Sequence, residues 1–383
     1  MNTDQLIKVY KERFTGTYAV FSAPGRINII GEHTDYNNGF VLPAAINKTI
    51  DLVIHINPQS NVINAIAYDF KEEESIAIDA AQTNYHWTKY ILGVVGELTK
   101  LGCSIPGFDC VFGGNVPVGS GMSSSAAFES VIGFALNDLL GLNLSKFQLA
   151  KAGQMAEHNY VGVRCGIMDQ FASLFGVEGH VIKLDCRTME YELIPFYSEK
   201  YSIVLIDTRV SHTLASSEYN KRRASCEEGI SIIADIYKNV KSLRDVSIEM
   251  LEEFIDSMSI ETYKCCLYVV GEIDRLQKAC LALKENDFIK LGRLMFETHD
   301  GLQLLYEVSC QELDFLVQIA RAFNGAIGSR VMGGGFGGCT ISLVETDKEK
   351  EFIAQSSLKF KSEFGYLPVV HEVEIAGGVR RIM

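Results

Sequence analysis

Residues 115–130, NVPVGSGMSSSAAFES, run a glycine-rich turn into a helical pattern whose first turn carries three serines in succession. Glycines let the main chain approach an anion closely. The unpaired N–H groups at a helix start point at that anion, and the helix dipole favours negative charge there. Gly119, Ser120, Gly121, Met122, Ser123, Ser124 and Ser125 are therefore a candidate phosphate cradle, and a serine hydroxyl there could add a contact to magnesium. The competing reading is a glycine turn closed by a serine N-cap, with no ligand. No G-x-x-x-x-G-K-[ST], H-R-D or D-F-G occurs in the chain, so neither the P-loop nor the protein-kinase plan accounts for a nucleotide site.

Two further stretches are dense in groups that could do chemistry. APGRINIIGEHTDYNNGFVLP (23–43) brings Arg26, Glu32, His33, Asp35 and Asn37 into what reads as a turn-rich stretch flanked by apolar residues. Carboxylates and imidazoles that accept and donate several hydrogen bonds suit a polyhydroxylated ligand, and a site so built rejects analogues lacking the hydroxyl. A solvated acidic loop is the alternative. AEHNYVGVRCGIMDQFA (156–172) sets Glu157 near a helix end and Asp169 in a glycine-flanked turn. Such an Asp is ordinarily a cap or turn residue. In a functional reading, one carboxylate holds magnesium while the other accepts or orients a substrate hydroxyl proton, as phosphoryl transfer requires. GGGFGG (333–338) matches G-x-G-x-x-G, but it lies near the C-terminus and precedes the strand-like CTISLVE, which is the wrong context for a dinucleotide fingerprint. It reads either as a tight strand-to-strand turn or as a loop packing its backbone on the nucleotide loop or the substrate. Five glycines in six residues forfeit order without a packing gain, which favours the second reading.

The elements that must position these groups alternate between helix and strand. Leu6, Tyr10 and Phe14 fall at helical spacing behind Thr3, and residues 49–56 alternate as a strand. Helical patterns cover 87–101, 123–141 and 144–160, and strands are expected at 107–114, 180–185 and 201–208. The second half is helix-rich from 216 to 323. It then turns to strand at 326–332, 339–345 and 367–375, with a helix over 348–364. A chain of 383 residues exceeds the roughly 250 to 300 residues at which single cores stop growing, so two domains with a cleft are expected, 1–192 and 193–383. A net charge of −13 without a basic run excludes nucleic acid as a partner. No apolar stretch reaches the ~18 residues of a membrane span, and the N-terminus has no signal-peptide core, so a cytoplasmic location is expected. Ten cysteines without a C-x-x-C pair read as free thiols in a reducing compartment.

Taken together and in order, GRINIIGEHTDYNNG, PVGSGMSSSAAF, CGIMDQ, SSEYNKRR and VMGGGFGGC resemble the galactokinases of the GHMP small-molecule kinase superfamily. The resemblance spans nearly the whole chain. The two glycine loops are shared across that superfamily, whereas the G-R-x-N-x-I-G-E-H-T-D-Y-N block is close to diagnostic for galactokinases. The resemblance implies an α+β fold of two domains, an N-terminal α/β nucleotide-binding domain and a C-terminal α+β, ferredoxin-like one, with the active site between them. It implies transfer of the γ-phosphate of MgATP to the C1 hydroxyl of α-D-galactose, the first committed step of galactose metabolism. Galactose and ATP are then the partners and Mg2+ the cofactor, in a monomer with no obligate protein partner. Carried onto matching positions, Glu32, His33, Thr34, Asp35 and Tyr219 would bind galactose, and Gly119 to Ser125 would wrap the ATP phosphates. Ser125 and Glu157 would hold magnesium. Asp169 matches the base at the C1 hydroxyl. Arg26 would sit beside it, keeping it ionised and offsetting negative charge on the transferred group. An N-acetylgalactosamine kinase would depart from T-D-Y-N, and a catalytically inactive galactose/ATP sensor would lose residues of the serine loop; both blocks are intact here. Three departures stand out: Asn38 where glycine or aspartate is usual, Met122 for leucine, and Val331-Met332 for Met-Thr. Asn38 is expected to tune the loop conformation or sugar tolerance.

Overall fold

The first strand, β1 (Ala19–Asn28), has ten residues and no exposed position. It takes in the opening of the stretch expected to be turn-rich. The Pro24-Gly25 pair conceals it: the register against its neighbour shifts between Pro24 and Arg26, and such an irregularity is where a strand tolerates proline. The computed structural model describes residues 3–210 and 215–383, with Ala215 and Ser216 described by backbone alone. After β1 the chain leaves the sheet, makes one 3₁₀ turn at Asp35–Asn37 and returns through β2 (Phe40–Val41) into β3 (Pro43–Asn57). Asn38 ends that turn with φ of 57°, in the left-handed region that asparagine tolerates better than most residues, so its side chain is suited to the loop conformation.

β3 pairs antiparallel with β1. The sheet continues through β4 (Val62–Ala67), β5 (Glu72–Ala77) and β6 (Gly107–Gly114), with β6 antiparallel to β3 and parallel to β4. Strand side chains alternate in direction. One face thus presents Val20, Val53 and Val111 to Leu6 and Tyr10 of α1 (Thr3–Arg13). The other presents Phe21, Leu52, Ile54 and Phe108 to a helical layer. That layer is α2 (Thr88–Lys100), α3 (Ser124–Leu140), α4 (Lys146–Ala156) and α5 (Met168–Phe175). Asp169 is therefore in the first turn of a helix rather than in a free turn. The helix expected over 144–160 stops at Ala156 and continues as one π-turn, Glu157–Val161.

β7 (His180–Asp185) and β8 (Tyr191–Pro195) join β2 in a small sheet. The second half is built on β9 (Tyr201–Asp207) and the helices α6 (Ala215–Ile236), α7 (Ile248–Glu253), α8 (Ile260–Lys284), α9 (Phe288–Leu304) and α10 (Gln311–Ala322). The hairpin of β10 (Ala326–Val331) and β11 (Cys339–Glu345) follows, then α11 (Glu349–Phe364) and β12 (Val369–Glu372). The strands form a sheet in the order β10-β11-β9-β12. One face packs Val204, Ile206, Phe352 and Phe360. The other, with Leu205, Ile341 and Leu343, shares a core with Ile27, Ile29, Leu42 and Met122 of the first half. Apolar burial across that seam fixes the two halves around the cleft. The C-terminus then returns to the first sheet as β13 (Arg380–Arg381), beside β1. Among the described residues no helix is long and apolar enough to cross a membrane.

Candidate active site

Arg26 projects from the irregular end of β1 and is buried. Its Nε donates to Asp169 Oδ1 and its Nη2 to Asp169 Oδ2, both at 2.7 Å, a two-pronged ion pair of the strong kind. Its Nη1 donates to the carbonyl of Gly121, and its main-chain N–H donates to that of Met122 at 3.0 Å. One guanidinium thus ties the carboxylate to the glycine-serine loop. Burial works against its charge, but Asp169 and Glu32 outweigh that and hold the group protonated. Gly25 leaves room for this approach, since a Cβ there would lie 2.7 Å from the Met122 carbonyl.

The loop itself is only partly what its sequence suggests. Gly119 and Gly121 have φ of 77° and 80°, which glycine adopts freely. Ser123 adopts φ of 59° and does not cap α3; its hydroxyl donates to Asp169 Oδ2 at 2.6 Å. The plain N-cap reading therefore fails. Ser120 is buried with its hydroxyl on the Pro117 carbonyl at 2.8 Å, and Met122 is buried in the core between the halves. These two residues can serve a phosphate only through their main chain. Ser124 and Ser125 begin α3, and Ser125 Oγ donates to Glu157 Oε1 at 2.9 Å. Glu157 opens the π-turn, a one-residue expansion common at functional sites.

The GGGFGG loop is both things its sequence allowed. It joins β10 to β11 as a hairpin, and it packs against the glycine-serine loop: a Cβ on Gly338 would meet Gly119 O at 3.2 Å, and one on Gly333 would meet Gly121 O at 3.3 Å.

Around this junction the polar residues of the 23–43 stretch are arranged in the cleft. Glu32 Oε1 accepts from Gly333 N at 2.8 Å and from Arg330 Nη1 at 2.9 Å. Arg330 is fully buried and also donates to the carbonyls of Asn28, Ile29 and Val331. His33 has φ of 63°, and its Nδ1 lies 2.8 Å from the Tyr36 hydroxyl. Its Nε2 is buried without a partner, with the Gly334 backbone near but outside hydrogen-bonding geometry. Burial pushes the ring down to about 3, so it is a neutral imidazole. Tyr219, on α6, stands with its ring centroid 5.3 Å from that of His33. Asp35 accepts from Tyr36 N at 3.0 Å and Met168 N at 3.5 Å. Burial, and then Asp169, push it up to about 6. Thr34 does not line the cleft; it is buried, with its hydroxyl on the carbonyls of Gly31, at 2.9 Å, and Phe40, so it braces the loop.

Two cavities meet at Ser125. One, of ≈ 190 Å³, is lined by Arg26, Glu32, His33, Asp35, Glu157, Asp169 and Tyr219, together with Cys165, Gly166 and Gly334. The other, of ≈ 470 Å³, is walled by Tyr85, Trp87, Tyr90, Phe112 and Phe128 and reaches Ser124 and Ser125. Sequence reasoning missed this aromatic cavity. Its only signal was the TNYHW run (83–87), of which Trp87 was read simply as part of a helix face. Cys165, Gly166 and the Arg330 clamp were likewise missed, because nothing in their spacing sets them apart.

The site is rich in carboxylates and short of cations. Burial raises Glu157 to about 7, partly offset by its bond from Ser125, and it raises the neighbouring Glu129 well above the usual range. Glu129 Oε1 is buried without a partner. Two hard oxygen donors 2.9 Å apart, in a cavity where the carboxylates of Glu32, Asp35, Glu157 and Asp169 face the one guanidinium of Arg26, fit a divalent cation.

Models of known families match three parts of the chain: the galactokinase galactose-binding signature at residues 8–55, the GHMP kinases N terminal domain at 89–177, and the GHMP kinases C terminal domain at 277–358. The galactokinase of Thermotoga maritima is 41% identical over 363 residues, covering 94% of this chain and 99% of its own. That of Clostridium beijerinckii is 39% identical over 388 residues, covering 98% and 99%. The structure of Lactococcus lactis galactokinase complexed with galactose superposes with a TM-score of 0.94 at 32% identity, covering 99% of both chains. The mevalonate kinase of Methanococcus jannaschii, at a TM-score of 0.64 and 20% identity, shares the fold.

Proposed function

Because the chain belongs to the galactokinases of the GHMP kinase superfamily, we propose that its polar cavity takes galactose, its aromatic cavity the adenine of ATP, and that the phosphoryl group passes between them at Ser125. The enzyme is an ATP-dependent sugar kinase, and its reaction is transfer of the γ-phosphate to the C1 hydroxyl of galactose. The observation that carries the assignment of sites is that a cavity rich in hydrogen-bonding groups and one walled by aromatic rings share a single residue at a helix start.

Glu32, His33, Asp35 and Tyr219 read the sugar hydroxyls, and Asp35 and Glu32 do so as acceptors. Neutral His33 offers its unpartnered Nε2. Thr34 contributes by bracing the loop rather than by contact. The main chain of Gly119 to Ser125, with the Ser123, Ser124 and Ser125 hydroxyls nearby, cradles the phosphates. Asp169, aligned by Arg26 and Ser123, accepts the C1 hydroxyl proton. The same Arg26 stabilises charge on the group in transfer. In a loose transition state most acceleration comes from such alignment and charge placement. Ser125 and Glu157 are the oxygens that would hold the magnesium ion accompanying ATP, whose charge would be spread over the phosphate oxygens. The boundary expected between 192 and 193 would cut β8, which pairs with β7 along its whole length, so the sheets favour a boundary after Pro195; the division into two units otherwise belongs to the same reading. So does placement as a monomer in the cytoplasm, where ten free cysteines fit a reducing compartment.

The test is ADP release with MgATP over a panel of galactose, N-acetylgalactosamine, glucose, mevalonate and homoserine, with the phosphate position of the product read by NMR. Turnover on galactose with product phosphorylated at C1 is expected. Preference for N-acetylgalactosamine, or galactose binding without turnover, would overturn it.

A further inference from the structure

Away from the cleft, three side chains of different ligand chemistry converge on the second sheet. Asp207 ends β9, Cys339 opens β11 and His371 lies on β12. Cys339 pairs directly with Asp207, Val369 pairs with Asp207 from the other side, and His371 lies two residues beyond Val369. The pleat therefore turns all three to one face. Their ligand atoms lie within 4.8 Å of one another, and His371 Nε2 is 3.5 Å from Asp207 Oδ2. That nitrogen is buried and makes no hydrogen bond. Asp207 Oδ1 is already engaged by the main-chain N–H of Arg209 at 2.7 Å, which leaves Oδ2 facing the ring.

One oxygen, one nitrogen and one sulfur form a mixed set. Magnesium and calcium take oxygens, whereas zinc and similar borderline ions accept all three and are content with three protein ligands and a fourth, open position. Around a tetrahedral zinc, bonds of ~2.0 to 2.3 Å place ligand atoms roughly 3.3 to 3.7 Å apart. The imidazole and carboxylate already stand at that spacing, and the thiol must close by about 1 Å, within reach of a rotamer adjustment. Asp207 and His371 are partly exposed, Cys339 is not, so an ion would enter from their side.

We propose that Asp207, Cys339 and His371 form a binding site for a zinc ion, distinct from Ser125 and Glu157, that fastens β9, β11 and β12 beneath the GGGFGG loop. Binding exchanges the thiol proton of Cys339, released to solvent, for a sulfur–metal bond. The site is coupled to the nucleotide loop by direct neighbours. Cys339 follows Gly338, whose carbonyl accepts from Thr208 N at 3.0 Å and Thr208 Oγ1 at 2.9 Å, and whose main chain lies against Gly119 and Ser120.

The test uses the full chain, stripped with a chelator and titrated with Co2+ and then Zn2+ in excess Mg2+. One equivalent of Co2+ should produce thiolate-to-cobalt charge-transfer absorption that Zn2+ displaces. Cys339→Ser should lack that band. His371→Gln should bind at least about tenfold more weakly, the lower range for disturbing a metal's surroundings, while turning over galactose at the wild-type rate with Mg2+ alone. Absence of the band overturns the proposal, as does a band that persists in Cys339→Ser. If Cys339→Ser fails to fold, His371→Gln decides: unchanged affinity in that variant is equally fatal.

Discussion

Replacing Glu157 by Gln should stabilise the metal-free protein at alkaline pH while abolishing most of its activity. The carboxyl is buried, and its burial outweighs the bond from Ser125, so its proton is held to about pH 7 instead of 4.5. Between those values the folded state binds more protons than the unfolded one, so the contribution of this group to stability falls as pH rises through that window. At ~1.4 kcal/mol for each tenfold change in proton affinity, the loss amounts to ~1 kcal/mol at pH 5 and ~3 kcal/mol at pH 8. Gln keeps an oxygen for the Ser125 hydroxyl but has no charge to desolvate. Urea unfolding of the two chelator-treated proteins should therefore show Glu157→Gln the more stable, by a margin that grows from pH 5 to pH 8. Mg2+ with ADP should narrow the margin by stabilising the wild type more than the variant, which lacks the metal-holding carboxylate. A variant less stable than wild type at pH 8 would refute the reasoning, and so would a margin independent of pH.

Gly166→Ala should displace Asp35, because a Cβ there would lie 1.7 Å from Asp35 Oδ2; a rise in galactose KM on the order of 100-fold, with ATP KM little changed, is the expected kinetic signature. Arg330→Met leaves Glu32 buried without its partner and should cost about 3 to 5 kcal/mol in urea unfolding; a cost under ~1 kcal/mol would remove the clamp from the account. Asp35, raised to about 6, must shed a proton to accept from the sugar. Calorimetric galactose affinity should then be flat above pH 7 and fall about tenfold per unit well below pH 6. Asp35→Asn should bind weakly without that slope.

What could be read from the sequence was local, and what could not was made by tertiary contact. The run of glycines and serines from Gly119 to Ser125 marks a candidate phosphate loop because each residue type acts through its own backbone or hydroxyl. That Ser123 turns its hydroxyl to Asp169 depends on a partner 46 residues away and has no local signal. Arg26 was legible as a residue but not as part of a strand, since Pro24-Gly25 breaks the pattern by which strands are recognised. Asp169 was mistaken for a turn residue because Gly166 precedes a helix of only eight residues. The π-turn at Glu157 inserts one residue into a helical rhythm, which periodicity absorbs without trace. Thr34 looks like its polar neighbours and differs only in facing the loop's own carbonyls. The aromatic cavity and the Asp207, Cys339 and His371 group exist only once sheets and helices are assembled.

The central claim is that Asp169, aligned by Arg26 and Ser123, takes the proton of the attacking hydroxyl. Single-turnover phosphoryl transfer in Asp169→Asn measures it most directly, with galactose and ATP affinities checked by calorimetry. The account predicts both ligands bound nearly as in wild type and a transfer rate lower by roughly 10² to 10⁴. A rate within about tenfold of wild type, with binding intact, would fall below any general-base contribution and contradict it.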